Sequence, residues 1–332
     1  MPKLKLSVGC GDYDRTEALR SGVVQPEGID LTYIPIQSPP EIFARMIKNH
    51  AFDFAEMSTS MYLTLRAKNE FPFVALPVFP SKVFRHGFIF INKNSGIKTA
   101  KDLEGKRVGV PEFRQTAAIW IRGILEHEYG VDMETIHWYE GGANVPREPD
   151  VLDLRPDREI DIHFIGPEKS LNDMLAAGEI DAMIGARQPF SLDTSPDVGR
   201  LFPDYRNEEK SYFKKTGIFP IMHTLVVNEE LYNEHPWVAE SMYKAFDQAK
   251  NWCLDQMKFS GTMRYTLPWL FADIDEMTEV FGTDPWAYGL EQNRPTLEAL
   301  VSYLHDQKFL AEKIAIDDMF VPIVSNMKRH DP

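Results

Sequence analysis

Three arginines in this chain of 332 residues recur at one kind of position. Arg15 stands in "GDYDRT", Arg114 in "VPEFRQT" and Arg187 in "IGARQ", each just beyond an apolar stretch that reads as a strand. Open α/β sheets bind ligands outside the C-terminal ends of their strands. A guanidinium there offers a carboxylate two parallel donors. Arg114 also precedes Thr116 at the start of a helical pattern, where the first backbone N–H groups are free to meet an anion. Each arginine alone fits equally well as a surface cation beside an acidic neighbour. Their shared position is what argues for an anion site.

Proton carriers accompany them. "PVFPSKVFRHGFIFIN" (77–92) is an apolar run with Arg85 and His86 in its middle, and "PIMHT" brings His223 in a second apolar run. Histidine titrates near neutrality, so it can serve as acid or base. If the first run is a strand, its neighbours alternate. His86 then shares a face with Phe84 and Phe88, and Arg85 with Gly87. Glu56 and Ser58 in "FAEMSTS", and Glu112 beside Arg114, place polar groups at strand-to-helix turns, where a carboxylate can act as a base or orient an arginine. His127, His137, His235, His305 and His330 lack a comparable argument, and His163, in a strand of the second lobe, is intermediate. Cys10, in "GCG", reads as packing. The chain has no HExxH, no CxxC, no phosphate-cradling glycine loop and no GxSxG, so neither a metal nor a cofactor is expected.

The elements that must hold these residues alternate. "KLKLSVG", "IDLTYIPI", "FDFAEM" and "FVALPVF" read as strands, separated by short helices that start at Ser, Thr or Pro. A second βα series follows. "KRVGV", the helix "TAAIWIRGILEHEYG", "TIHWYEGG", "IDIHFIG", the helix "EKSLNDMLAAG" and "IDAMIGA" have the rhythm of a parallel sheet. Residues 143–159 are proline-rich and loop-like, and 187–217 are polar and turn-rich. From Pro236 the chain reads as mainly helical. Two apolar strands, "FRHGFIFIN" going out and "IFPIMHTLVVN" coming back, suit crossings between two lobes. The expected division is 1–91 plus 218–332 for the first lobe and 92–217 for the second.

Composition narrows the partners. Charged residues make up 26% and hydrophobic residues 43%, with a net charge of −14. That balance is globular and argues against nucleic acid or an anionic membrane as partner. Two cysteines give no disulfide framework, no apolar run is long enough to span a membrane, and the N-terminus lacks a signal-peptide pattern. A cytoplasmic location is expected. Apolar and aromatic residues from about Pro268 onward offer a surface for a homo-oligomer.

"GIKTAKDLEGKRVGVP", "TAAIWIRGIL" and "LAAGEIDAMI" resemble the second lobe of a type 2 periplasmic-binding-protein fold. "FPSKVFRHGFIFIN", "TAAIWIRGILEHEYGV", "TGIFPIMHTLVVN" and "DPWAYGLEQNRPTLEAL" resemble 4,5-dihydroxyphthalate decarboxylase and its relatives over nearly the whole chain. That resemblance implies a two-lobed α/β fold with an inter-lobe cleft, and cofactor-independent loss of one carboxylate from a small hydroxylated aromatic dicarboxylate. For that chemistry the candidates to hold substrate are Arg15, Arg85, Arg114 and Arg187, with Thr116 and Ser58, chosen by position and residue type. His86, His223, Glu56 and Glu112 would handle its protons. The other reading is a non-catalytic solute-binding protein for an aromatic small molecule.

Overall fold

The computed structural model describes residues 2–69, 71–149, 155–157, 160–282 and 284–323. Part of the 143–159 loop, and His330, lie outside the described residues. In chain order the strands and helices are β1 (Leu4–Cys10), α1 (Glu17–Arg20), β2 (Ile29–Pro35), α2 (Pro39–Asn49), β3 (Phe54–Ser58), α3 (Thr59–Ala67), β4 (Phe73–Lys82), β5 (Ile89–Asn92), β6 (Arg107–Val110), α4 (Thr116–Tyr129), β7 (His137–Glu140) and β8 (Ile162–Phe164). They continue as α5 (Leu171–Ala177), β9 (Ala182–Ile184), α6 (Ser191–Thr194), β10 (Val198–Arg200), α7 (Tyr205–Thr216), β11 (Ile221–Asn228), α8 (Glu229–Glu234), α9 (Trp237–Lys258), α10 (Leu270–Phe281) and α11 (Leu290–Asp306).

The chain divides into two compact units. The first comprises Met1–Lys82, Ile221–Leu297 and Ile314–Pro332; the second comprises Val83–Pro220 and Glu298–Lys313. Val83–Ile91, Ile218–Pro220 and Glu298–Lys313, expected in the first lobe, therefore fall in the second unit. The packing of Glu298–Lys313 supplies the reason. Gln307 accepts from the buried Arg122 of α4 at 2.8 Å and donates to Ile119 O at 3.0 Å, and the Tyr303 ring lies edge-on to Trp120.

In the first unit the sheet order is β2-β1-β3-β11-β4. β1 pairs in parallel with β2 and β3, whereas β11 runs antiparallel between β3 and β4. β3 is buried along its whole length, as a central strand covered on both faces must be; Glu56 is its one ionisable residue. β4 is an edge strand, and an edge tolerates Pro77 and Pro80. Its register against β11 slips there: β11 moves only from Leu225 to His223 while β4 advances from Leu76 to Ser81. α9 buries Val238, Met242, Ala245, Phe246, Ala249 and Cys253, an apolar stripe at helical spacing.

In the second unit the order is β10-β5-β9-β6-β7-β8. β6, β7, β8 and β9 are parallel; β5 and β10 extend the sheet in antiparallel fashion. Phe90, Leu171, Leu175, Ile180, Met183 and Val198 form a core cluster on it. α4 ends at Gly130 in the left-handed conformation, the usual glycine stop.

Two expectations are corrected here. Phe84–Phe88 is not a strand: β4 ends at Lys82, β5 begins at Ile89, and His86–Phe88 form one turn of 3-10 helix. Residues 187–217 are not merely turns, since they contain α6, β10 and the twelve-residue α7. α7 buries just Tyr212 among its residues, so it shows no apolar stripe to read.

Candidate active site

In each sheet one gap is a topological switch, where successive connections leave in opposite directions and open a crevice at the strand ends. In the first unit it lies between β1 and β3. Gly11, Tyr13 and Arg15 follow β1, and Glu56 sits near the end of β3. In the second unit it lies between β6 and β9. Glu112, Arg114 and Thr116 follow β6, and Arg187 follows β9.

Glu56 is fully buried, and a lone buried carboxylate would be very costly. Its oxygens are accordingly well supplied. Oε1 accepts from Tyr13 Oη at 2.6 Å and lies 2.5 Å from His223 Nδ1. Oε2 accepts from the Gly11 N–H at 2.8 Å and from Cys10 Sγ at 3.4 Å. Burial pushes the Glu56 carboxyl up, but the charge on His223 and the hydrogen bonds from His223, Tyr13 and Gly11 together outweigh it and hold the group below the usual carboxylate range. Burial first, and then the neighbouring carboxylate, push the Tyr13 hydroxyl and the Cys10 thiol up, so both remain proton donors to Glu56.

His223 keeps 17% of its side chain exposed, and Phe43 meets its ring edge-on at 5.1 Å. It sits at the slip in the β11–β4 register, and such bulges re-aim side chains beside active sites. With Nδ1–H given to Glu56, Nε2 is the nitrogen that can exchange a proton, the arrangement that a carboxylate partner imposes on an imidazole.

Arg15 is held as a planar receptor. Its Nε donates to Pro80 O at 2.6 Å and its Nη1 to Asp14 at 3.1 Å. The guanidinium carbon lies 4.1 Å from the Tyr13 ring centroid and 4.3 Å from that of Trp286. Nη2 has no protein acceptor among the described residues.

In the second unit, Arg114 pairs with Glu112 at 3.5 Å, and Thr116 is buried at the first turn of α4. Gln115 Oε1 accepts from Ala186 N at 3.1 Å. Gly185, at φ +156°, leaves room for Pro111, which a Cβ there would meet at 2.9 Å. The turns after β6 and β9 are thus locked together, and Arg187 is exposed beside them.

The remaining candidates are placed otherwise. Ser58 is buried, and its hydroxyl caps α3 through Met61 N at 3.5 Å. Arg85 and His86 lie inside the second unit rather than on a crossing strand. His86 is 1% exposed and packs against Phe202 at 5.5 Å, Tyr212 at 5.2 Å and Tyr129 at 6.1 Å; neither ring nitrogen has a hydrogen-bond partner among the described residues. Burial pushes its pKa down to about 4, against a smaller pull from Glu208 and Glu128. The Arg85 guanidinium lies over Phe88 at 4.8 Å, and burial pushes it down to about 9 despite Glu209.

Sequence reasoning missed Tyr13 and Trp286, and assigned Cys10 to packing. Tyr13 carried a signal, being two residues before Arg15 in a loop at a strand end. Trp286 carried none, because its place depends on how the 284–289 loop lies along β4.

Two α/β units, each with polar groups gathered at its switch point, define a small-molecule protein of the periplasmic-binding-protein fold. A family model for ABC-transporter phosphonate periplasmic substrate-binding proteins matches residues 16–197. The sulfonate-binding protein of Methylobacillus flagellatus superimposes with a TM-score of 0.56 at 13% identity, covering 97% of this chain and 93% of its own. The alkanesulfonate-binding protein of Xanthomonas axonopodis pv. citri gives 0.53 at 11%, covering 97% and 99%. Within that fold a closer kinship is plain. The 4,5-dihydroxyphthalate decarboxylase of Comamonas testosteroni is 34% identical over 323 residues, 97% of this chain and 98% of the relative. That of Pseudomonas putida is 36% identical over 215 residues, 64% of this chain and 83% of the relative. The chain belongs to the 4,5-dihydroxyphthalate decarboxylase family.

Proposed function

We propose that the protein decarboxylates a hydroxylated aromatic dicarboxylate, 4,5-dihydroxyphthalate, to protocatechuate and carbon dioxide without a cofactor. The observation that carries this reading is the buried Glu56 bonded to the partly exposed His223, in a chain so similar to decarboxylases of that name.

The departing carboxylate is para to a ring hydroxyl. Electron density from that oxygen makes the carboxylate-bearing carbon basic. The His223 imidazolium gives its Nε2 proton to this carbon. The carbon–carboxylate bond then breaks, its electron pair restores the aromatic ring, and carbon dioxide leaves. His223 regains a proton from solvent. Glu56 stabilises the imidazolium and fixes its orientation, while Tyr13 and Gly11 keep Glu56 ionised. Arg15 offers Nη2 to a carboxylate. Arg114, Thr116 and Arg187 offer a second anion receptor at the other switch point. His86 and Arg85, enclosed in the second unit, have no place in this scheme.

Carbon dioxide release from a panel of hydroxylated phthalates and benzoates tests the reading. Tight binding of these acids without release would favour a solute-binding role. The proposal includes a cytoplasmic location. It also includes a homo-oligomer formed through the exposed Leu267, Trp269 and Phe271, which sedimentation will test.

A further inference from the structure

The loop 284–289 is fastened along the edge of β4. Trp286 Nε1 donates to Phe79 O at 3.1 Å, and Gly289 N donates to Pro77 O at 2.8 Å. Two fully buried lysines hold it from beneath. Lys82 Nζ donates to Ala287 O at 2.8 Å and to Asn293 Oδ1 at 2.6 Å, and Lys250 Nζ lies 2.5 Å from Asp284 Oδ2. Asn293 completes the lashing by donating to Ala287 O and Gly289 O at 3.0 and 2.8 Å. These ties hold the backbone of the loop, and the side chains of Asp284 and Trp286, against β4 and its lysines.

One side chain on that loop is left unsatisfied. Tyr288 is 3% exposed, with the Lys250 ammonium 5.3 Å from its ring centroid, and its hydroxyl has no hydrogen-bond partner among the described residues. A buried hydroxyl without a partner is destabilising, and native proteins keep few of them. Two residues earlier, Trp286 covers the guanidinium of Arg15. Burial pushes the Tyr288 hydroxyl up, so it stays protonated; the ionisable groups acting on it are Arg15, Cys10, Asp247 and Asp284, and Cys10 bonds Glu56. The loop therefore brings a protonated, unpaired donor to the neighbourhood of Arg15, whose Nη2 has no protein acceptor among the described residues.

We propose that the Tyr288 hydroxyl is a substrate-contacting group, donating a hydrogen bond to the same carboxylate that Arg15 holds. This rests on the functional reading above. The unpaired hydroxyl is then a binding group kept ready, and substrate supplies the missing acceptor.

Tyr288→Phe removes that one oxygen. Phthalate, which has both carboxylates and no ring hydroxyl to start the reaction, serves as the probe in calorimetric titration of the full chain. The variant should bind phthalate at least fivefold more weakly and show a raised KM for 4,5-dihydroxyphthalate with a smaller change in kcat. Its ligand-free Tm should be unchanged or higher, because no native hydrogen bond is lost. A Tm lower by several degrees would mean a structural hydroxyl and overturn the proposal. Equal phthalate affinity in the two proteins would overturn the role of Tyr288 alone. If the wild type neither binds phthalate nor releases carbon dioxide, the functional reading falls and this inference with it.

Discussion

Nδ1 of His223 lies 2.5 Å from Oε1 of Glu56, one partner partly exposed and the other fully enclosed. The asymmetry assigns their tasks. The enclosed carboxylate cannot reach a ring carbon, while the imidazole can exchange protons at its second nitrogen. His223→Gln should cost about a hundredfold or more in turnover while phthalate still binds. Glu56→Gln should lower turnover too, through loss of the imidazolium's partner. Near-normal kcat in both variants would remove the pair from the mechanism.

The same carboxyl leaves a mark on acid stability. The folded pKa of Glu56 is depressed, so its contribution is present above the ordinary carboxylate range and is lost as pH falls through the folded value. Denaturant melts from pH 5 downward should show a shallower loss in Glu56→Gln than in the wild type.

His86 acts in a different window. Its folded pKa is about 4, against an ordinary 6.5, so the unfolded chain binds the proton more tightly. Stability should fall as pH drops from 6.5 toward 4, by up to about 3 kcal/mol. His86→Leu, apolar and of similar size, should flatten this slope while leaving turnover within severalfold. An unchanged slope would place the acid sensitivity elsewhere.

Arginine geometry can be tested without changing charge. Arg15→Lys replaces a planar guanidinium in contact with the Tyr13 and Trp286 rings with a point charge, and should weaken phthalate binding about tenfold or more. Arg114→Lys should also weaken it. A dissociation constant within about twofold of wild type, under 0.5 kcal/mol, would take that arginine out of the site.

Exhaustive chelation should leave activity intact, because the ring hydroxyl supplies the electrons that break the carbon–carboxylate bond. Loss of activity, restored by one divalent metal, would point to a chelated catechol instead.

Gly123 tests the packing of α4. Alanine normally gains about 1 kcal/mol over glycine inside a helix. Here a Cβ would lie 2.1 Å from Cδ2 of Tyr303, a buried ring wedged against Trp120 and His127. Overpacking of this kind costs about 1–3 kcal/mol, so Gly123→Ala should lower Tm. A raised Tm would show that Tyr303 yields easily.

What could be read from the sequence follows from the physics of each residue. Arg15, Glu56 and Arg114 were legible because strand ends are marked by apolar runs that stop, and polar groups just past a stop are conspicuous. Arg85 and His86 were misread because an apolar run looks the same whether it is one strand or two strands in different sheets joined by a short link; Val83, Phe84 and Phe88 keep the link apolar, so the lone Gly87 does not announce it. α7 escaped because a helix that buries so little shows no stripe. The apolar spacing of α11 said that the helix packs but not on which unit, and Tyr303 and Gln307 settle that through contacts with α4. Trp286 and Tyr288 depend on a loop being tied to β4 by lysines far away in sequence, which no local pattern encodes.

The insertion of β11 between β3 and β4 also constrains the order of assembly. A ribosome releases β3 and β4 long before residues 221–228, so the two strands cannot yet sit in their final sheet. Throughout that interval Glu56 lacks its imidazole, and the carboxylate that the finished protein encloses must stay hydrated in the nascent chain. The second unit likewise waits for Glu298–Lys313. Completion of either unit therefore waits for segments far downstream of its first strands, and pairings so distant in sequence form slowly. Truncated or stalled chains should accumulate with β3 and β4 open to chaperones, and the proton-transfer pair comes into being in the same step that closes the first sheet.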